Sequence, residues 1–279
     1  RRINSVPATR ILSSPGCRTN HTEAILMQSN SELLPLDLAE RTVAIKDRGQ
    51  VITYTFRRLT SDDWARYMSG IVIETERRGG AVVNTMDTRT AADDLIKSAI
   101  VRVHGYVTRD GRRVDEVEGW KDNLPYRHTI PAVNLLQEVS GSKEDRPIFF
   151  DAKVEEVLLD AVWDPILVDD KPSGQMKKYT GLVHRLSRPT PEQKKLYNRS
   201  LAESRVVGGA RNGRTIHGGR HRTLSQLYDE MIVEVEGYAA NGQPLTGRSA
   251  IVQQMDYTHK VTAIDELFST ADVTNAEDE

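Results

Sequence analysis

The chain has 279 residues, 38 lysines and arginines against 40 aspartates and glutamates, and a net charge of −2. Near-neutrality removes any global pull toward nucleic acid or anionic membrane, and the single cysteine, Cys17, excludes an intramolecular disulfide and a cysteine-rich metal site. No apolar run approaches the roughly 18 residues of a spanning helix, and a mean hydropathy of −0.50 with 6% aromatic residues points to modest cores and much surface given to loops or partners.

Residues 1–38 read as an extended arm, because Pro7, Ser13-Ser14-Pro15-Gly16 and Asn20-His21-Thr22 break any sustained period. Segments of this kind order on a partner, and Ile11, Leu12 and Leu26 are the candidate contact residues. A first unit is expected over 39–143. It opens with a hairpin in which Thr42–Ile45 and Val51–Phe56 flank the turn Asp47-Arg48-Gly49. Thr60-x-x-Asp63 is a capping box ahead of a helix whose core face is Trp64, Tyr67, Met68 and Ile71, and Gly79-Gly80 is expected to end that helix. A second helix follows over Leu95–Tyr106 and closes at Asp110-Gly111, and a third, short one runs near 131–138.

A linker is expected over 140–147, and a second unit over 144–269 that repeats the plan. Ile166–Val168 and Met176–Val183 flank a turn over 169–174. Thr190-Pro191-Glu192-Gln193 is a second capping box, with proline where a backbone N–H has no helical partner. Gly208-Gly209 ends that helix. The next covers Leu224–Tyr238 and closes at Asn241-Gly242, although Val233-Glu-Val-Glu236 also alternates as a strand does. A last short helix runs near 262–268, and an acidic tail covers 270–279.

The repetition is explicit in the residues. Leu95–Tyr106 and Leu227–Tyr238 share six of twelve positions at an offset of 132, and the shared ones are Leu, Ile, Val, Val, Gly and Tyr. Gly49–Thr55 matches Gly174–Thr180 at offset 125, Arg58-Leu59 matches Arg185-Leu186 at offset 127, and His128 matches His259 at offset 131. Core and punctuation residues are retained while polar ones have drifted, which is the signature of a copied packing unit. The fold expected is therefore α+β, a tandem duplication of a β-hairpin plus helices unit with an extended N-terminal arm.

Candidate chemistry is sparse. The window 199–222 carries Arg199, Arg205, Arg211, Arg214, Arg220 and Arg222 among glycines, and a basic glycine-rich loop can track phosphates. The competing reading is a subunit-contact loop, favoured because no aromatic residues interleave the arginines for base stacking. Gly208-x-x-x-x-Gly213-Arg214-Thr215 lacks the lysine of a phosphate-binding loop. His217 and His221 are four apart, but Gly218-Gly219 argues against the helix that would let them share a metal. His128 and His259 sit just ahead of expected short helices, where capping or packing beside Tyr126 and Tyr257 is the reading. The pairs Asp62-Asp63, Asp93-Asp94 and Asp169-Asp170 suit helix starts and turns. No nucleophile elbow, zinc-protease motif or dinucleotide fingerprint is present, so no catalytic, metal-ligating or cofactor-binding residue is assigned, no cofactor is expected and the chain is read as no enzyme.

The segment Val51–Trp64, and with it Leu124-Pro-Tyr-Arg-His128 to Ile130–Leu136, resembles segments of tailed-bacteriophage tail and tail-assembly proteins. An opening at Arg1 sits comfortably with a virion protein. The resemblance implies a structural component of a virion, assembled in the host cytoplasm, whose partners are other copies of itself and other virion proteins, with no membrane. The alternative is a nucleic-acid-associated protein using the 199–222 window.

Overall fold

The computed structural model describes residues 32–78, 81–142, 153–202, 205–207, 213–216 and 218–269. Ile11, Leu12, Leu26, Arg211, His217, most of the linker and the acidic tail therefore lie outside the described residues. The end of the expected arm is docked: β1 (Leu34–Pro35) pairs in parallel with Tyr238-Ala239, and Leu34 is fully buried.

The fold is α+β. The first half runs β2 (Glu40–Asp47), β3 (Gln50–Arg57), α1 (Ser61–Gly70), β4 (Val72–Arg78), β5 (Ala81–Asp87), α2 (Arg89–Ala99), β6 (Ile100–His104) and, after two short 3-10 turns, α3 (Tyr126–Leu136). β7 (Val139–Gly141) leads to the second half. This runs β8 (Val154–Val168), β9 (Lys171–Ser187), α4 (Pro191–Ala202), β10 (Arg205–Val207), β11 (Gly213–Ile216), α5 (Gly218–Met231), β12 (Ile232–Glu236), β13 (Tyr238–Ala240), β14 (Gln243–Pro244), α6 (Arg248–Gln254) and α7 (Tyr257–Phe268). Hairpin, helix, hairpin, helix, strand and closing helix thus occur twice in the same order.

The pairing recurs as well. β6 lies against β3 with Tyr54 opposite Val103 and Phe56 opposite Ile100, and β12 lies against β9 with His184 opposite Val235 and Leu186 opposite Ile232. Both ladders carry a register shift at the same place, skipping Val101 in one and Val233 in the other. A bulge inserts one unpaired residue and bends its strand. Both skipped valines are exposed, while Ile100, Val103, Ile232 and Val235 are buried.

Several local expectations hold for the stated physical reason. Arg48 and Gly49 form the two-residue turn of the first hairpin with φ of 50° and 83°. Both capping boxes are closed, Thr60 with Asp63 and Thr190 with Gln193. Trp64 and Tyr67 are buried.

Others are corrected. The repeated segment is not one helix: α2 ends at Ala99 and α5 at Met231, and each passes directly into a strand. The strand reading of 233–236 holds, although the bulge at Val233, like that at Val101, turns the first valine of each pair outward. The second hairpin is far longer than expected, and its turn is Asp169-Asp170, both at positive φ, while Gly174 lies inside β9. Pairing sets Tyr54 level with His184, an offset of 130, so the matches at offsets 125 and 127 are displaced. Asp110-Gly111 and Asn241-Gly242 turn small hairpins after a strand, across the Val107–Arg113 bridge and between β13 and β14. α1 stops at Gly70, and β4 intervenes before Gly79-Gly80. α3 runs through Pro131, so both closing helices start earlier than expected.

The described residues form one compact unit. One apolar cluster includes Tyr54, Trp64 and Leu136 from the first half and Leu159, Tyr228 and Ile264 from the second. A sheet ordered β10-β11-β4-β5 is built from both halves. Arg41 on β2 ties the halves again. Its guanidinium donates to the carbonyls of Leu136 and Val162, both at 2.9 Å, and stacks 3.7 Å from the Trp163 ring centre. Burial pushes its pKa down to about 10.

Candidate functional site

Gly105-Tyr106 and Gly237-Tyr238 follow β6 and β12. Each glycine has a positive φ, 95° and 89°. At Gly105 a Cβ would stand 2.3 Å from the Val51 carbonyl oxygen, so only glycine lets the chain turn there. The turn drives the following tyrosine back under its sheet, toward the first turn of the closing helix. That turn carries His128 in α3 and His259 in α7.

In the first half this builds a chain of four polar groups. The Tyr54 and Tyr106 hydroxyls are 2.6 Å apart, Tyr106 Oη is 2.6 Å from His128 Nδ1, and His128 Nε2 is 2.9 Å from Asp47 Oδ2. Asp47 is a carboxylate, held below the usual carboxylate range first by its hydrogen bond to His128 and then by nearby Arg127. It can only accept, so His128 Nε2 donates to it, with Arg127 Nε also 3.2 Å from that nitrogen. The Tyr54 and Tyr106 hydroxyls and His128 Nδ1 continue the line, in which either direction of donation is open to the hydroxyl protons. Arg127 Nη2, 3.1 Å from Asp47, closes the outer end.

The second half repeats the core of this chain with its end changed. Tyr238 Oη is 2.7 Å from both His184 Nε2 and His259 Nδ1, and Tyr228 Oη is 2.8 Å from His184 Nδ1. His184 occupies the place of Tyr54. Among the described residues His259 Nε2 has no hydrogen-bond partner, its ring lies T-shaped to the Trp163 ring at 5.6 Å between centres, and no carboxylate is hydrogen-bonded to this chain. His184, Tyr228, Tyr238 and His259 are all fully or almost fully buried. Burial forces both imidazoles neutral. It takes His184 well below its ordinary value, and it takes His259 down to about 3 with a smaller push from the Arg41 cation.

Asp, His and Tyr in line could in principle move a proton. The tyrosine hydroxyl at the centre is engaged on both sides, however, and in the second half the same arrangement is sealed from solvent. Its constant effect is mechanical: it pins the closing helix to the end of the sheet. The sequence pointed to His128 and His259, but as residues beside Tyr126 and Tyr257. The structure places them inside the helices and joins them to Tyr106 and Tyr238, which had been read only as core. Their nearly equal spacing, 22 residues from Tyr106 to His128 and 21 from Tyr238 to His259, was the available signal.

The described parts of the 199–222 window are helix and strand, and residues 203–204, 208–212 and 217 lie outside the described residues. Arg199 is exposed on α4, Arg205 lies on β10, Arg214 on β11, and Arg220 and Arg222 on α5. Arg220 binds Asp265 at 2.6 Å and Arg222 approaches Asp62 at 3.6 Å. His221 lies within α5, which begins at Gly218 despite the glycine pair. Among the described residues, no group of three or more His, Cys, Asp or Glu side chains is placed to hold a metal, and no helix is long and apolar enough to cross a membrane. Comparison with protein-family models, with curated proteins and with solved structures finds no match.

Proposed function

We propose that the chain is a non-enzymatic structural or assembly component of a bacteriophage particle, built on an ancestral module copied in tandem. The observation that carries the non-enzymatic reading is the second Tyr–His chain. A constellation retained where no substrate can enter is retained for what it holds together. The particle assignment rests on the resemblance of Val51–Trp64 and Leu124–Leu136 to tail and tail-assembly segments, and the arm and the acidic tail then serve neighbouring subunits. Nucleic-acid binding through Arg199–Arg222 is the competing reading. It is weakened because Arg220 and Arg222 face carboxylates of their own chain.

The test is sedimentation velocity over a wide concentration range, with and without residues 1–31. The reading expects association that weakens when the arm is removed. A chain of residues 1–279 that stays monomeric at its highest soluble concentration refutes it. DNA retardation abolished by salt, and by replacing Arg199 and Arg214, would favour the competitor.

A further inference from the structure

Among the described residues the sheet shared by the two halves is open at both ends, and its open edges are of the two kinds that already pair inside it. Each half contributes one antiparallel hairpin after its first helix, β4–β5 and β10–β11. They join through β11 and β4, antiparallel, with Gly213 opposite Thr75, Arg214 opposite Glu74 and Thr215 opposite Ile73. This junction sets the second strand of one half's hairpin against the first strand of the other's. The strands left outside are β5, a second strand, and β10, a first strand, and neither has an outer partner among the described residues.

We infer that β5 of one copy pairs antiparallel with β10 of a second copy, repeating between chains the β11–β4 junction made within the chain. Strand direction permits it. The four strands alternate, so β10 of a following copy runs opposite to β5, as β11 runs opposite to β4. The element order and the bulges recur in the two halves, although β10 and β11 have three and four residues against seven each in β4 and β5, and a contact made once between such hairpins can be made again between copies. The β5 sequence, Ala81-Val-Val-Asn-Thr-Met-Asp87, leaves such pairing open: it has no lysine and no proline, the residues with which solitary edge strands are blocked. The contact joins two different edges, so it is head-to-tail, and its repetition closes a ring or winds a filament. The inference deepens the assembly role proposed above by naming one surface, and it rests on that reading only for self-association.

Cysteine pairs test it in a Cys17→Ser background. Val206→Cys on β10 is combined in turn with Val82→Cys, Val83→Cys, Asn84→Cys and Thr85→Cys on β5, which samples four registers. Within one chain β5 and β10 are three strand spacings apart, about 14 Å, well beyond the ~7 Å a disulfide can span. Any disulfide between them therefore links copies. Glu74→Cys with Arg214→Cys is the internal control and should close within one chain.

The expected result is a reductant-sensitive ladder of two, three and more chains from at least one pair, while Val206→Cys alone gives no more than dimers. A closed internal control with no ladder from any pair, in a chain that sediments as an oligomer, overturns this surface and leaves the assembly role standing. No ladder from a chain that sediments as a monomer overturns both. Hydrogen exchange on the unmodified protein gives an independent reading. The β5 amides gain protection at associating concentrations, and unchanged β5 exchange rejects the pairing.

Discussion

Replacing Tyr238 by phenylalanine removes one oxygen and leaves the ring in place, so no cavity opens. That oxygen is the shared partner of His184 Nε2 and His259 Nδ1, each 2.7 Å away and each fully buried. Two polar groups lose their partner in a site water does not reach. An orphaned buried group costs about 1–3 kcal/mol, so Tyr238→Phe should cost about 2–5 kcal/mol, or roughly 5–15 °C in Tm for a body of this size. Tyr106→Phe is the internal comparison. It orphans Tyr54 Oη and His128 Nδ1 on two buried residues, but Tyr106 itself is only half-buried, so a water entering beside it should hold the loss to about 1 kcal/mol. Urea unfolding followed by circular dichroism, with the slope checked for constancy, measures both. Equal losses for the two variants, or a loss below about 0.5 kcal/mol for Tyr238→Phe, would show that the sealed chain is not a structural pin.

Both buried histidines are depressed in the folded state, so the unfolded chain binds their protons first. The stability they hold is fully present above the ordinary histidine value near pH 6.5 and is lost as pH falls toward about 3 for His259. The loss should approach about 1.4 kcal/mol per pH unit per histidine, and NMR titration should find neither ring titrating near 6.5 in the folded protein. The Asp63 carboxylate, almost fully buried, is bonded first by Arg57 and then by Thr60, which hold it below the carboxylate range. Its contribution is present above about pH 4 and fades as acid protonates it. Asp63→Asn should cost about 2–3 kcal/mol at pH 7 and flatten the acid limb of the stability profile. Gly105→Ala should cost more than Gly237→Ala in thermal unfolding. The first Cβ meets the Val51 backbone oxygen at 2.3 Å, whereas the second meets the movable Leu182 Cδ2 at 2.8 Å. Arg41→Lys keeps the charge but cannot reach the Leu136 and Val162 carbonyls together, and it should lower Tm despite its apparent conservatism.

The amino-acid sequence alone determined what depends on neighbours along the chain. Thr60 and Thr190 announced their helices because a capping box closes within four residues. Arg48-Gly49 announced its turn because glycine takes positive φ without cost. Sequence similarity between the halves was legible because it falls on core and glycine positions, and the order of elements and a bulged ladder also recur in the two halves. Tertiary structure decided whatever depends on partners distant in sequence. Leu95–Tyr106 has helical spacing throughout, yet its second half is a strand because β3 offers Ile100–His104 a ladder, and propensity yields to such pairing. The length of β8 and β9 escaped notice because a strand lasts as long as its partner does. The Tyr–His chains were invisible as chains, since hydrogen bonds join Tyr54 to Tyr106 across 52 residues and His184 to Tyr238 across 54. Burial, which exists only once the chain has folded, is what holds His184 and His259 neutral as structural pins.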